Sequence, residues 1–524
     1  MDGVTVEKPD LKMINGRAFD VVVIGGGIVG ASSAREAAAA GYSVLLVEKG
    51  DFASGSTSRS SRLLHCGLRY FEAPDPLRYF ARHPARFVTS LRMARQAMHA
   101  RREMVLTSPQ RARPIDFFFP IYADGPYTPW QSDLAFGLLK RLAPADVPLN
   151  YSRLSKDAAL EQPMVAVLAR TDQLRAAARF TEYQFDWPER ICIDAVLDAE
   201  EAGAVALNYT RAALGDAQGG MRKIALQGPD GATAQVAARS VMSMAGIWID
   251  DVLKGSGVKV QRRVFGTKGA HIVIRLPERY RGQGITTINS HGEPFYCIPW
   301  HDLHYIGPTE TAYEGDLNDI HVDAADLVFL LSETAALFPG LDVTRSDVLR
   351  TWAGVRPLTY DPAHPKGNRS RMLHDLAQDG LKGVFAMTGA PIMSHRGAGR
   401  EVVTKLRSAV TPEGSATSLS YEPRLPLQDT NTPRIAPGID YTLADVRQAV
   451  RNEHARSLMG VLYRRSGAGL RHAFSDDELG RVADVMAEEL HWSSKEKNKE
   501  VDRFKQQTER LFGVPSVPEE AAKQ

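Results

Sequence analysis

The segment that most limits how this chain can fold begins at Asp20. Residues Asp20 to Ile24 (DVVVI) are continuously apolar after the first position, as in a parallel strand buried on both faces, and Gly25, Gly26, Gly27, Ile28, Val29 and Gly30 follow at once. The next residues, ASSAREAAAA, are small and helix-forming. A second strand is expected at Tyr42 to Val47, ending in Glu48, eighteen positions after Gly30. The glycines divide the physical work among them. Gly25 makes the turn, Gly27 lets backbone approach a pyrophosphate, and Gly30 lets the helix press on the strand. A carboxylate at Glu48 is placed to accept hydrogen bonds from an adenosine ribose, so the unit predicts dinucleotide binding.

The loop that follows, DFASGSTSRSSRLLHCGLRYFE (residues 51 to 72), is rich in hydroxyls at Ser54, Ser56, Thr57, Ser58, Ser60 and Ser61. Such groups and their backbone N–H groups suit a course beside the cofactor's phosphates. Further on, SVMSMAG, GAHIVIRL and FYCIPW read as strands alternating with helical stretches, which predicts a substrate domain inserted between pieces of the nucleotide domain. From Thr442 the pattern is helical. Thr442 with Asp445, and Ser475 with Glu478, have capping-box spacing, and Leu479, Val482, Met486 and Leu490 share one helical face. A Pro-rich linker is expected over 412–437.

A chain of 524 residues with 44% hydrophobic and 24% charged residues is too long for one core and too apolar for disorder. The 64 basic and 62 acidic residues give +2, which argues against nucleic acid as a partner. Cys66, Cys192 and Cys297 are scattered without CxxC spacing, so neither a disulfide framework nor a metal site is expected, and a reducing, cytoplasmic setting fits. No run of about 18 apolar residues suggests a span.

These motifs together resemble the FAD-dependent glycerol-3-phosphate dehydrogenases of the aerobic respiratory type, within the D-amino-acid-oxidase-like flavoproteins. The landmarks are VVVIGGGIVGA, SSRLLHCGLRYFE (60–72), DAEEAGAVALNY (198–209), KGAHIVI (268–274), IPWHDLHYIGPTET (298–311), GVRPL (354–358) and VADVMAEELHW, spread from Phe19 to Phe512. The resemblance implies an α/β fold: a glutathione-reductase-like FAD domain over 18–411 (pieces 18–75, 195–255 and 350–411), an interleaved antiparallel-sheet substrate domain (76–194 and 256–349), the linker, and a helical domain over 438–524. It implies FAD held non-covalently, although His65 lies in a loop where relatives in the wider superfamily attach flavin covalently. Cofactor contacts are expected from Gly25, Gly27, Gly30, Glu48, Lys49, Ser58, Ser60, Ser61, Arg62, Leu64, His65, Gly246 and Gly389.

Carried over residue by residue, Arg69 and Tyr70 match the family's substrate-pocket pair, and Arg356 matches its phosphate-facing arginine. Arg369 matches a second phosphate arginine, with Arg371 as the neighbouring register, and His271 matches the histidine near the flavin. A phosphate dianion needs two or three guanidiniums to be held in one orientation. Hydride transfer from C2 of a polyol phosphate to flavin N5 needs that orientation and a base for the hydroxyl proton, for which His271 is the candidate; His271 and Arg356 are the expected catalytic residues. Trp248 is expected to pack in the core.

This chain departs from the family where GGKLTTYR becomes TGAPIMSHRGAGRE (388–401): the lysine is replaced by Ala390 or Pro391, and only His395 or Arg396 could restore its charge. The expected substrate is a small phosphorylated polyol, sn-glycerol 3-phosphate first, with another polyol phosphate or anionic alcohol as the alternative. An oxygen-using or amine oxidase and a non-catalytic flavin binder remain competing classes. Quinone is the expected acceptor, and a homodimer is a further expected partner. Residues 76–102 hold seven arginines, two histidines and no acid, which reads either as a solvated helical face or as a surface for anionic lipid.

Overall fold

The computed structural model describes residues 11–71, 76–364, 367–427 and 429–516; the side chains of Arg69 and Leu77 lie outside that description. Two sheets organise the chain. In the first, five strands run parallel in the order Val384–Thr388, Thr233–Ser243, Ala18–Ile24, Val44–Val47 and Val205–Leu207. Met372–Asp375 closes one edge antiparallel, and a hairpin of Arg211–Gln218 and Met221–Gln227 pairs alongside Thr233–Ser243. The DVVVI strand is central and buried on both faces, which is why its sequence does not alternate.

Helices Ile28–Ala39, Pro188–Glu201 and His395–Arg407 cover one face of this sheet. The alanine-rich helix is buried almost all round, and its small residues permit close approach: a Cβ on Gly399 would lie 2.6 Å from the Ser32 carbonyl. Parallel pairing brings Ile24 level with Val47 and Ser243, so the strands' carboxyl ends open on one rim, where open α/β sheets take their ligands.

The second sheet has ten strands, order Thr311–Ala312, Val264–Ile274, Leu303–Gly307, Pro294–Trp300, Gln283–Ile288, Ala112–Tyr122, Leu174–Phe185, Leu63–Leu64, with Val348–Thr359 and Ser152–Ser155 attached. It is antiparallel except where Gln283–Ile288 meets Ala112–Tyr122. Three boundaries differ from the sequence expectation. Leu63–Leu64 and Val348–Thr359 hydrogen-bond into this sheet, whereas the sequence places them in FAD-domain pieces, and helix Pro188–Glu201, split between the two domains by sequence, packs on helix Ile28–Ala39 of the nucleotide side. Strand partners at a distance decide these edges.

The C-terminal helices Leu443–Asn452, Asp476–Leu490 and Ser494–Phe512 form as expected, with both capping boxes closed: Asp445 accepts from the Thr442 N–H at 2.7 Å and Glu478 from the Ser475 N–H at 2.8 Å. Residues 412–427 are a strap rather than a free spacer. Tyr421 donates to Glu36 at 2.8 Å and lies under the guanidiniums of Arg35 and Arg396, and Arg424 pairs with Asp198 at 2.6 Å. Ile435 and Ala436, given to the linker by sequence, are already buried in the helical core.

The helical domain is locked to the nucleotide domain by a buried charge cluster. Asp51 accepts from Arg464 at 2.7 Å, from Arg465 and from Asn208 at 2.9 Å. Burial would raise the Asp51 pKa, but the two guanidiniums outweigh it and hold the carboxyl well below the usual carboxylate range. Among the described residues no helix is long and apolar enough to cross a membrane.

Candidate active site

The rim of the parallel sheet opens into a cavity of about 930 Å³ that runs on to the face of the second sheet. At the sheet end the glycine turn behaves as its sequence requires. Gly25 has φ +111°, and a Cβ there would lie 2.6 Å from the Met244 carbonyl; a Cβ on Gly30 would sit 1.8 Å from the Gly25 carbonyl oxygen. Gly27 is less crowded, 3.3 Å from Thr57 Oγ1, and faces the cavity. The first amide of the helix, Ile28 N–H, donates to Thr57 Oγ1 at 3.0 Å.

Glu48 accepts from the Gly26 N–H and the Gly50 N–H, both at 2.7 Å, so it braces the turn as well as facing the cavity. Burial raises its pKa and the backbone donors oppose that shift. Each oxygen keeps a second lone pair for a ribose hydroxyl. Lys49 donates to Asn318 at 3.0 Å and stands 4.0 Å over the ring of Trp248, which therefore lines the cavity wall instead of serving only as core. Turn, carboxylate and volume fit a dinucleotide: the close contacts around Gly25 and Gly30 leave backbone, not side chain, at the point of approach.

At the second sheet, His271 and Arg356 sit side by side on one face. Register pairs Gly269 with Gly354 and Thr267 with Arg356, so the arginine lies diagonally across Gly269, where a Cβ would meet its Nη2 at 2.6 Å. Arg356 lines the cavity, and its Nη1 is buried with no hydrogen-bond partner among the described residues. His271 stacks on Trp352 with centroids 4.8 Å apart, and its Nε2 meets Ser61 Oγ at 3.1 Å. Burial, then Arg356 and Arg62, push its pKa well below the ordinary value, so the imidazole is neutral.

His395 is likewise buried and depressed, by burial first and then Arg396 and Arg35. Because both histidines bind protons less readily folded than unfolded, stability is expected to fall as pH drops below about 6.5, by up to roughly 1.4 kcal/mol per pH unit for each, until the folded values are reached. Urea midpoints between pH 5 and 8 check this; His271→Asn with His395→Asn should flatten the slope.

The other expected contacts divide. Ser60, Ser61, Arg62, His65, Tyr70, Gly246, Arg369 and Gly389 all line the cavity. Arg62 is internally committed, paired with Glu189 at 3.2 Å and 4.5 Å over Trp300. Arg369, ion-paired with Glu310, lines the cavity, while Arg371 pairs with Glu401 at 2.8 Å and is not part of the lining. Ser58 faces a separate cavity of about 230 Å³ beneath the helical domain, because its hydroxyl is drawn to the Gly55 carbonyl at 3.1 Å. Leu64 is a core residue pairing with Tyr183, and Gly30 is behind the cavity wall. The Arg69 side chain falls outside the described residues.

Neither candidate for the missing lysine reaches the cavity. His395 gives Nδ1 to the Ile392 carbonyl at 2.8 Å, and Arg396 donates to Thr107 at 2.6 Å and Ser108 at 3.1 Å. The wall there is Gly389, Ala390, Pro391, Ile392 and Met393, without a cation. Two further wall residues carry no sequence signal: Arg59, between the two cavities, and Glu182. Arg59 lies in the hydroxyl-rich loop 51–72 but is not singled out by it, and Glu182 belongs to no motif, so only folding brings it here.

A parallel sheet with a glycine turn, a carboxylate on the next strand, and a cavity ending at a neutral histidine and an arginine defines a flavoprotein-type oxidoreductase. Residues 20–405 match the family described as FAD dependent oxidoreductase, and residues 417–497 match the C-terminal domain of alpha-glycerophosphate oxidase. The chain belongs to the FAD-dependent oxidoreductase family, and its cofactor is FAD. It is 27% identical to the glycerol-3-phosphate dehydrogenase of Synechocystis over 94% of this chain and 96% of that protein. The aerobic glycerol-3-phosphate dehydrogenase of Staphylococcus haemolyticus is 28% identical over 78% and 70%. In structure it is similar to the Bacillus halodurans glycerol-3-phosphate dehydrogenase complexed with FAD (TM-score 0.69, 20% identity, 96% of both chains) and to the Mycoplasma pneumoniae L-alpha-glycerophosphate oxidase (TM-score 0.57, 15% identity, 78% and 99%). The resemblance read from the motifs, and the α/β fold it implied, are borne out.

Proposed function

We propose that this protein is a dehydrogenase that oxidises the secondary alcohol of a small phosphorylated polyol to a ketone, sn-glycerol 3-phosphate to dihydroxyacetone phosphate being the leading case. The carrying observation is the Arg356 guanidinium, with an unpaired buried N–H, on the cavity wall beside His271. An anion is what such a group lacks. FAD, when bound, supplies a two-electron acceptor for the hydride. Arg356 and Arg369 hold the phosphate, and the aromatic floor of Trp352 and Tyr305 fixes the His271 ring. The substrate's hydroxyl proton passes to a neutral imidazole nitrogen of His271, with Ser61 Oγ as the hydrogen-bonded neighbour of Nε2.

Anaerobic mixing of the FAD-loaded protein with a panel of polyol phosphates tests the reading: bleaching of the flavin by at least one supports it, and no bleaching across the panel rejects it. The likeness to an alpha-glycerophosphate oxidase favours oxygen as a second acceptor, so peroxide release under air is measured in parallel; reduction of a quinone or dye without peroxide favours the dehydrogenase.

Delivery of electrons to quinone would take place at a membrane. Helix Pro84–Thr107 exposes Arg92 and Arg95 on one side with Val88 exposed beside them, while Arg86 turns to the Tyr79 hydroxyl, Arg101 is buried and Arg102 pairs with Asp146 at 2.6 Å. This face suits anionic lipid. Sedimentation with anionic vesicles at low salt, reversed at high salt, supports the contact; none at low salt rejects it.

A further inference from the structure

Strand Leu174–Phe185 sends Phe180, Glu182 and Gln184 to one side by its two-residue period. Gln184 Nε2 donates to the Tyr305 hydroxyl at 3.1 Å, Tyr305 donates to the Ser61 carbonyl at 2.7 Å, and Ser61 Oγ meets His271. Glu182 thus stands on the same wall as the hydrogen-bonded chain that holds the proposed base. It lines the cavity, yet it is only 4% exposed. One oxygen, Oε1, accepts from the Cys66 N–H at 3.0 Å; the other, Oε2, is buried and has no hydrogen-bond partner among the described residues.

A buried carboxyl oxygen left idle on a cavity wall is costly unless a bound molecule completes it. Burial raises the Glu182 pKa, with the nearby Arg101 opposing the rise, and a hydrogen bond donated by a bound hydroxyl would favour the carboxylate further. Phosphate is a poor occupant, since it would set like charges together, and Arg356 offers it a better place. A hydroxyl has one proton to give and the wall has one idle carboxyl oxygen, whereas an ammonium brings three. Near Glu182 the cavity is lined by Phe117, Phe180, Thr286 and Tyr296, a setting for a short carbon chain bearing hydroxyls. The cation-free stretch from Gly389 to Met393 offers no competing anchor.

We propose that Glu182 forms a substrate subsite, its Oε2 accepting a hydrogen bond from a polyol hydroxyl other than the one oxidised, so that it sets specificity. The inference rests on the reading of the protein as a polyol-phosphate dehydrogenase. A site that hydrogen-bonds a hydroxyl rejects the analogue lacking it, because its own polar group is then left unpaired.

The test compares sn-glycerol 3-phosphate with propane-1,2-diol 1-phosphate, which keeps the reacting alcohol and loses the terminal hydroxyl. It uses anaerobic flavin reduction by the FAD-loaded protein and extends to four- and five-carbon polyol phosphates with their deoxy counterparts. The wild type is expected to favour the hydroxylated member of a pair by about 10- to 100-fold in kcat/KM. Glu182→Leu should bring that ratio near one, mainly through a higher KM for the hydroxylated substrate. Glu182→Gln keeps an oxygen for the Cys66 N–H and should lower the ratio by about tenfold through loss of charge. A ratio unchanged in Glu182→Leu overturns the subsite while leaving the dehydrogenase reading intact; if that variant fails to hold FAD, an unchanged ratio in Glu182→Gln does the same. A wild type bleached by no polyol phosphate overturns both.

Discussion

Replacing Arg356 with alanine is expected to lower kcat/KM for a phosphorylated polyol by about 10²- to 10⁴-fold, with the flavin still bound. Each hydrogen bond to a charged group contributes roughly 1.5–3 kcal/mol, and the guanidinium offers a phosphate two. Arg356→Lys keeps the charge but not the fork, and should recover only part of the loss. A sharper variant is Gly269→Ala, which changes no charge. Its Cβ would lie 2.6 Å from Arg356 Nη2, so the guanidinium must leave its place across the strand, and KM should rise while the FAD spectrum stays. Stopped-flow reduction with each variant reads the effect. An Arg356→Ala protein that is reduced as fast and at as low a substrate concentration as the wild type would show that Arg356 is not the anion anchor.

Gly30→Ala should yield protein without flavin, or no soluble protein at all. The new Cβ would be 1.8 Å from the Gly25 carbonyl oxygen, a backbone atom held by the tight turn, so the helix Ile28–Ala39 must move off the strand it packs on. That helix is the core of the nucleotide domain, and its displacement disturbs the rim where the cofactor approaches. Gly27→Ala is the contrast: its nearest neighbour is Thr57 Oγ1 at 3.3 Å, and the methyl points to the cavity. It should fold with a Tm near that of the wild type and bind FAD more weakly. The ratio of flavin to protein absorbance and a thermal melt separate the two outcomes. A Gly30→Ala protein that is yellow and as stable as the wild type would contradict the packing role of this glycine.

Much of the nucleotide half was legible in the sequence because its signals are local. Gly25, Gly30 and Glu48 are set by a turn, a contact and a strand end within thirty residues, and the capping boxes at Thr442 and Ser475 are closed within four. Residues that act across the chain were less legible. Leu64 and Ser58 lie among cavity residues in sequence, but strand alternation turns Leu64 into the core and a local carbonyl draws Ser58 to the other cavity. Trp248 reads as core until Lys49 is seen over its ring. Glu182 carries no motif, and it matters only because Leu174–Phe185 is paired into the sheet that forms the cavity wall.

The sequence by itself determined the dinucleotide turn and the helical end of the chain, since each depends on which residues stand next to one another, and the family resemblance added the absence of a lysine at 390–391. Only the tertiary structure decided that His395 and Arg396 do not replace that lysine, that Arg369 rather than Arg371 reaches the cavity, and that Val348–Thr359 belongs to the second sheet. The reason is physical: which cations reach a cavity is set by where packing draws each side chain, and Thr107, Ser108 and Glu401, supplied by distant segments, draw Arg396 and Arg371 away from it.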